Sequence, residues 1–271
     1  MAWRAALLPV IWLAAACGSP QPAPERSATP TRIVSLDYCA DQFVLKFADP
    51  SDILAVSPDA GKDFSFMREA AADVARVRPS AEDVLLLKPD LVVRAYGGGP
   101  GATALFERVG IPVLEVGWSP DLEAVRTNTL RVAKGLGQAD RGVEVVEDFD
   151  ARIAEINSAE TATALYATPG GATTGPGGLI GEILEQANLD NFIETPGWQT
   201  LPLERLAYEG PDVFVFADFE GGAGPWSAAR HSVFRNRMDA AEVREIEGAW
   251  TACGGWFVIE AIETLTETWA P

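Results

Sequence analysis

Two stretches of this 271-residue chain, 122 positions apart (204 minus 82), carry nearly the same pattern. Glu82-Asp83-Val84-Leu85-Leu86-Leu87-Lys88-Pro89-Asp90-Leu91-Val92-Val93 is echoed by Glu204-Arg205-Leu206-Ala207-Tyr208-Glu209-Gly210-Pro211-Asp212-Val213-Phe214-Val215. Each runs from a glutamate near a helix start, through an apolar helical turn, to Pro-Asp and a buried strand. A repeat so far apart in so short a chain constrains the fold to two lobes of one design, with a cleft between them. The two glutamates hold the same place in each lobe and therefore sit on the same kind of surface.

The order of elements agrees. Residues 32–36 are a short apolar run between polar turns, hence a buried strand, and 39–47 place Phe43, Val44 and Phe47 at helical spacing. A second strand follows at 53–56. Ser80 is a fitting N-cap, with Asp83 three residues on, for a helix that Pro89-Asp90 ends before a strand at 91–94. A glycine-rich loop at 97–101, a helix at 103–109 and a strand at 111–116 come next. From 121 to about 158 no strand signal appears, and Gly135-Leu136-Gly137 divides the stretch into two helices. The second, over 139–157, would run roughly 28 Å at 1.5 Å per residue and bridge two lobes as a strut. Alternation then restarts with strands at 165–167, 191–193, 213–217 and 243–246, and helices at 178–188, after Glu204, at 230–238 and at 255–268. The pattern predicts an α/β fold of two lobes, each with a mainly parallel sheet covered by helices, joined by one long rigid helix. Ligands of such sheets gather at the carboxyl ends of strands.

The N-terminus lies apart from this scheme. Arg4, an apolar run over 5–16 and small residues before Cys17 read as a signal peptide (1–17), because twelve apolar residues are too few to span a bilayer. Leu13-Ala14-Ala15-Ala16-Cys17 resembles a bacterial lipobox, which makes Cys17 the candidate lipidation site and the lipid anchor the chain's one membrane contact. Ordinary cleavage at the same residues is the other reading. Residues 18–31 form a flexible tether, leaving an N-terminal lobe at 32–137, the linking helix at 138–158 and a C-terminal lobe at 159–271. Two further cysteines, Cys39 and Cys253, form an even remainder in an oxidising, exported compartment. A disulfide would tie the halves together; two buried thiols or a soft-metal thiolate pair are the rival readings.

A net charge of −18 argues against nucleic acid and anionic lipid as partners. Catalysis is poorly provided for. His231 is the one histidine, so no cluster of imidazoles can hold a metal, and neither a G-x-S-x-G elbow nor a phosphate loop is present. No catalytic residue, metal site or intrinsic cofactor is expected. The alternative from that class is an exported hydrolase using Ser35 or Cys39 with His231. Binding is better provided for: Tyr38, Arg94, Tyr96, Trp118, Trp198, Phe219 and Trp226 fall in the expected carboxyl-end loops, beside Gly, Pro or charge. Aromatic walls with one or two cations suit a bulky, flat or anionic organic ligand. Arg94, just past a strand end, is the first choice for ligand charge, with an ion pair to a nearby carboxylate as its other reading. Glu82 and Glu204 complement helix dipoles, and as a symmetric pair they fit basic sockets on a two-fold symmetric partner.

At residues 32–36, 88–93 (Lys-Pro-Asp-Leu-Val-Val) and 110–113 (Gly-Ile-Pro-Val), and in the central helices, the chain resembles bacterial substrate-binding proteins of ABC importers for cobalamin, iron–siderophore and haem. The resemblance runs from about residue 30 to the end. It implies two α/β lobes, one rigid helix between them, a cleft that closes slightly on ligand, and one docking glutamate per lobe for arginines of the permease dimer. Glu82 and Glu204 match those positions, each eight residues before the Asp of Pro-Asp. In cobalamin-binding members an aromatic six residues ahead of the C-lobe glutamate touches the ligand, and Trp198 stands there. Arg94-Ala95-Tyr96 departs from the N-lobe Trp of those members, and the several histidines of zinc and manganese binders are missing. The resemblance thus implies a periplasmic or envelope-bound carrier that hands a metal chelate, an iron–siderophore or cobalamin-like compound, to an ABC permease. A haem carrier of the same fold, with Tyr38, Tyr96 or His231 as axial ligand, is the alternative.

Overall fold

The computed structural model describes residues 29–156, 161–219, 222 and 224–267. The expected leader, Cys17, most of the tether and the end of the linking helix lie outside the described residues. The N-terminal lobe runs β1 (Ile33–Ser35), α1 (Tyr38–Phe47), β2 (Ile53–Ala55), α2 (Ala81–Leu86), β3 (Leu91–Arg94), α3 (Ala102–Arg108) and β4 (Val113–Glu115). Then come α4 (Leu122–Gly135) and α5 (Ala139–Glu155). The C-terminal lobe runs β5 (Ala162–Ala167), β6 (Ala172–Thr174), α6 (Leu179–Gln186), β7 (Leu189–Asn191), β8 (Trp198–Thr200), α7 (Leu203–Tyr208), β9 (Val213–Asp218), α8 (Ser232–Met238), β10 (Glu242–Glu247) and α9 (Val258–Glu267).

Two parallel four-stranded sheets result, ordered β2-β1-β3-β4 and β7-β5-β9-β10. Numbered within its lobe, and leaving out the short ribbon strands, each reads 2-1-3-4. The repeated segment supplies the third strand both times, together with the helix before it. Its aspartates explain the motif. Asp90 accepts hydrogen bonds from the backbone N–H groups of Thr31 (3.0 Å) and Arg32 (3.1 Å), and Asp212 from that of Thr163 (2.8 Å). Each carboxylate fastens the start of its lobe's first strand to the start of the third. Arginine closes the other end of each motif: Arg32 donates to the carbonyls of Leu87 and Lys88 behind α2, and Arg237 to those of Leu206 and Ala207 in α7.

Two departures from the sequence expectation stand out. The strand expected at 191–193 is Leu189–Asn191, and Phe192 and Ile193 are buried as the chain leaves the sheet. The ribbon of β6 and β8, antiparallel with Thr173 opposite Gln199, was not expected at all.

The linking helix α5 is braced rather than free. Gly142 packs so closely on α4 that a β-carbon there would lie 2.6 Å from Ala133 Cβ. Arg141 reaches the N-terminal lobe at Asp49 (2.9 Å) and the Phe47 carbonyl (2.9 Å). Near the other end, Arg152 binds Glu260 (3.0 Å) and Glu263 (2.5 Å) of α9. The apolar core is shared between lobes: Trp256 meets Phe43 and Phe47 of α1 edge-on, at ring separations of 5.4 and 5.6 Å. A Cys39–Cys253 disulfide (S–S 2.02 Å) joins the lobes covalently.

Candidate functional site

Parallel strands of both sheets deliver their carboxyl ends to the region where the lobes meet. On the N-terminal side the rim is built on Asp37, which is 3% exposed. One carboxylate oxygen caps α1 through Ala40 N (3.0 Å), and the other accepts from Ala95 (2.8 Å), Tyr96 (3.0 Å) and Gly97 (2.8 Å). Those bonds curl the chain after β3 inward, so tightly that a β-carbon at Gly97 would lie 2.4 Å from the Leu36 carbonyl oxygen. Tyr96 is thereby presented to solvent beside Tyr38, ring to ring at 6.0 Å, and Tyr38 stands edge-on to Phe64 at 4.8 Å. The Tyr38 hydroxyl donates across to the Ala252 carbonyl (3.4 Å). Burial first raises the pKa of both phenols and keeps them protonated; Asp37 and Asp59 add to it at Tyr38, and the Tyr38 phenol and then those carboxylates add to it at Tyr96.

Arg94 does not reach this surface, contrary to the sequence expectation. Its guanidinium is buried and makes four hydrogen bonds: Nε donates to the Gly97 carbonyl (2.8 Å), Nη2 to that of Gly99 (3.1 Å), and Nη1 to Thr103 and Glu115 (both 2.8 Å). It shapes the glycine loop through those carbonyls. Phe219 is displaced from the expected wall in a similar way. It is partly buried and covers Gly248, where a β-carbon would lie 2.4 Å from its ring.

Between the lobes lies a cavity of about 310 Å³, with Trp118 and Pro120 on one side and Ile180, Trp198, Thr251 and Cys253 on the other. The disulfide reaches its lining through Cys253. Trp198 stands edge-on to Tyr166 at 6.0 Å, and the Tyr166 hydroxyl pairs with Thr251 Oγ1 at 3.1 Å. Burial pushes the Tyr166 phenol up to about 12, against the Thr251 bond. Tyr166 is thus a neutral support for the exposed indole. Trp198 also lines a larger, open cavity of about 870 Å³ on the C-terminal lobe, shared with Trp226, Arg230 and His231. His231 Nδ1 accepts from Val233 N (3.2 Å) to cap α8. A third cavity of about 320 Å³ between the lobes is acidic, with Asp63, Asp218 and Glu245 in its lining and the Arg68–Glu247 ion pair (3.3 Å) across it.

The structure therefore joins Trp118 with Trp198, Trp198 with Trp226, and Tyr38 with Tyr96. Asp37, Tyr166 and Thr251 escaped the sequence reading, because a loop aspartate, a strand tyrosine and a loop threonine carry no local signal of their role. The residues of the hydrolase alternative are not brought together: Ser35 is fully buried, Cys39 is held in the disulfide, and His231 lines the C-terminal cavity. Among the described residues, no group of three or more His, Cys, Asp or Glu is placed to hold a metal ion, and no helix is long and apolar enough to cross a membrane. Glu82 and Glu204 lie exposed in the first turns of α2 and α7. Neither makes a hydrogen bond or ion pair with another described residue.

Two like α/β lobes, tied by a helix and meeting over an aromatic cavity, define a bilobal binding protein. A family model described as "Periplasmic binding protein" matches residues 34–231, and the chain belongs to that family. Solved structures share the fold. The apo haem-binding protein RhuT of Roseiflexus sp. RS-1 superposes with a TM-score of 0.67 at 20% identity, over 87% of this chain and 98% of that one. The haem-binding protein HutB of Vibrio cholerae gives 0.70 at 15% identity, over 89% and 99%. The vitamin B12-binding protein BtuF of Vibrio cholerae gives 0.59 at 18% identity, over 88% and 96%. A search of curated proteins finds no match.

Proposed function

We propose that this protein captures a metal chelate between its lobes, an iron–siderophore or cobalamin-like compound, and delivers it to the permease of an ABC importer. The observation that carries this reading is the interlobe cavity faced by Trp118 from one lobe and Trp198 from the other. Indole faces grip flat or bulky organic surfaces, and a wall of rings rather than grouped ligands suits a metal that arrives already wrapped. The structural likeness to haem- and vitamin B12-binding proteins supports the same class of cargo. Glu82 and Glu204, unpaired among the described residues and equivalent in the two lobes, are the groups we assign to permease docking, and Cys17 is the site we assign to lipid anchoring. Native mass spectrometry of the protein purified from its own host, with metal analysis, tests the reading. A co-purifying metal-bearing organic ligand is expected, and a bare ion or a metal-free metabolite would contradict it.

Haem itself is the second reading, and His231 favours it. With Nδ1 engaged by Val233, the other ring nitrogen has no hydrogen bond among the described residues, in a cavity shared with two tryptophans. Burial first, then nearby carboxylates and, for Tyr96, the Tyr38 phenol, hold Tyr38 and Tyr96 protonated, which makes them poorer axial ligands. A Soret band that appears with haem and is lost in His231→Ala would select this reading.

A further inference from the structure

Among the described residues, apart from Tyr96 and the tryptophans at 118, 198 and 226, the two most exposed large apolar side chains are Leu86 at 79% and Tyr208 at 89%; the next, Val109, is at 51%. A lone exposed apolar residue needs no explanation. These two, however, stand at the same register of the repeat, four residues after Glu82 and four after Glu204. Four residues along a helix is a rotation of about 40° and a rise of about 6 Å, so acid and apolar group share one outward face. The inward face is fixed by the residue midway between them, Val84 in α2 and Leu206 in α7, both completely buried.

We propose that each docking glutamate is half of a two-part contact. Leu86 and Tyr208 would seat in apolar cups beside the basic groups that receive Glu82 and Glu204, on the two halves of a two-fold symmetric membrane permease. The inference rests on the docking reading above. Charge decides the kind of partner: two unpaired acids on a chain of net charge −18 are repelled by anionic lipid, so the face fits a basic protein surface rather than the bilayer. Repetition decides its symmetry, because equivalent knobs on two lobes match equivalent cups on two subunits.

Photocross-linking tests this. Benzoylphenylalanine replaces Leu86, Tyr208 or, as a control, Val109 in the full chain made in its own host, and the cells are irradiated. Positions 86 and 208 should both capture the same integral-membrane permease polypeptide, identified by peptide mass spectrometry, and position 109 should not. Capture of lipid, of a second copy of this chain, or of no polypeptide from 86 and 208 would overturn the proposal. The same probe at 82 and 204 separates the two layers of the argument. If those positions reach the permease and 86 and 208 do not, the apolar contact falls and the docking reading stands; if none of the four does, both fall. The permease so identified, solubilised in detergent, should bind the Leu86→Ser/Tyr208→Ser protein about tenfold more weakly, with the binding protein's melting temperature unchanged. Undiminished affinity would overturn the apolar contact.

Discussion

The two lobes begin alike and finish differently. Both place their strands in the order 2-1-3-4 and fasten the first strand to the third through the aspartate of Pro-Asp. Strand register then aligns their cleft ends residue by residue, since Ile33 pairs with Leu91 as Ala164 pairs with Val213. On that alignment Thr168 occupies the place of Asp37, and Phe216 that of Arg94. The N-terminal lobe uses a buried carboxylate and a buried guanidinium to lock its rim. The C-terminal lobe has a threonine and a phenylalanine at those places and inserts the β6–β8 ribbon that carries Trp198. One wall of the cleft is thus fixed by polar anchors, while the other is shaped by an added element that carries the exposed ring of Trp198.

Three perturbations probe this contrast. The largest effect is expected from the link between the lobes. The Cys39→Ser/Cys253→Ser double variant should lose about 5 kcal/mol of unfolding free energy, because the bond closes a separation of 214 residues. Urea unfolding measures it, and an unchanged midpoint would mean that the shared core alone holds the lobes. Next is the rim. Asp37→Ala strands four backbone donors and should cost about 3 to 4 kcal/mol, whereas Thr168→Ala should cost less than about 1 kcal/mol. Equal costs would erase the distinction between the walls.

The smallest is a difference in pH response. Burial pushes Asp41 in α1 up to about 6 from 3.8, with hydrogen bonds from Ser57 working the other way. The folded state therefore binds this proton more readily than the unfolded chain. The Asp41 contribution is present below about pH 4, fades as pH rises through 6, and amounts to about 2 to 3 kcal/mol. In the C-terminal lobe the direction is opposite. Hydrogen bonds from Thr163 lower Asp212, and those from Arg152 lower Glu263, so their support is lost as pH falls. Melting curves between pH 4 and 7 should show Asp41→Asn flattening the decline of stability with rising pH; an identical slope would contradict the assignment.

The elements readable in the sequence were those with strong periodicity or repetition. The repeat itself, the two central helices broken at Gly135-Leu136-Gly137, and the strands at Leu91–Arg94 and Val213–Asp218 all carry long apolar signals. The ribbon does not: Ala172–Thr174 and Trp198–Gln199–Thr200 are three residues each, bounded by Gly and Pro, and their pairing is settled by contacts across the lobe. Of the aromatics expected at the wall, Trp118, Trp198 and Trp226 line cavities. Arg94 takes the second of its two readings, an ion pair with Glu115, for a physical reason. Being just past a strand end does not tell whether a guanidinium faces outward or folds back onto carbonyls, and the carbonyls of a glycine loop were within its reach. Asp37 was missed because the four N–H groups it gathers belong to segments nearly sixty residues apart.

The central claim is that the paired indoles between the lobes hold a metal chelate. Tryptophan fluorescence titration against haem, cobalamin and ferric siderophores tests it most directly, with Trp198→Ala run beside the unaltered chain. One ligand class should quench saturably at a one-to-one ratio, and Trp198→Ala should weaken that binding by about tenfold or more. No response to any of the three, or the same affinity without the Trp198 ring, would contradict the account.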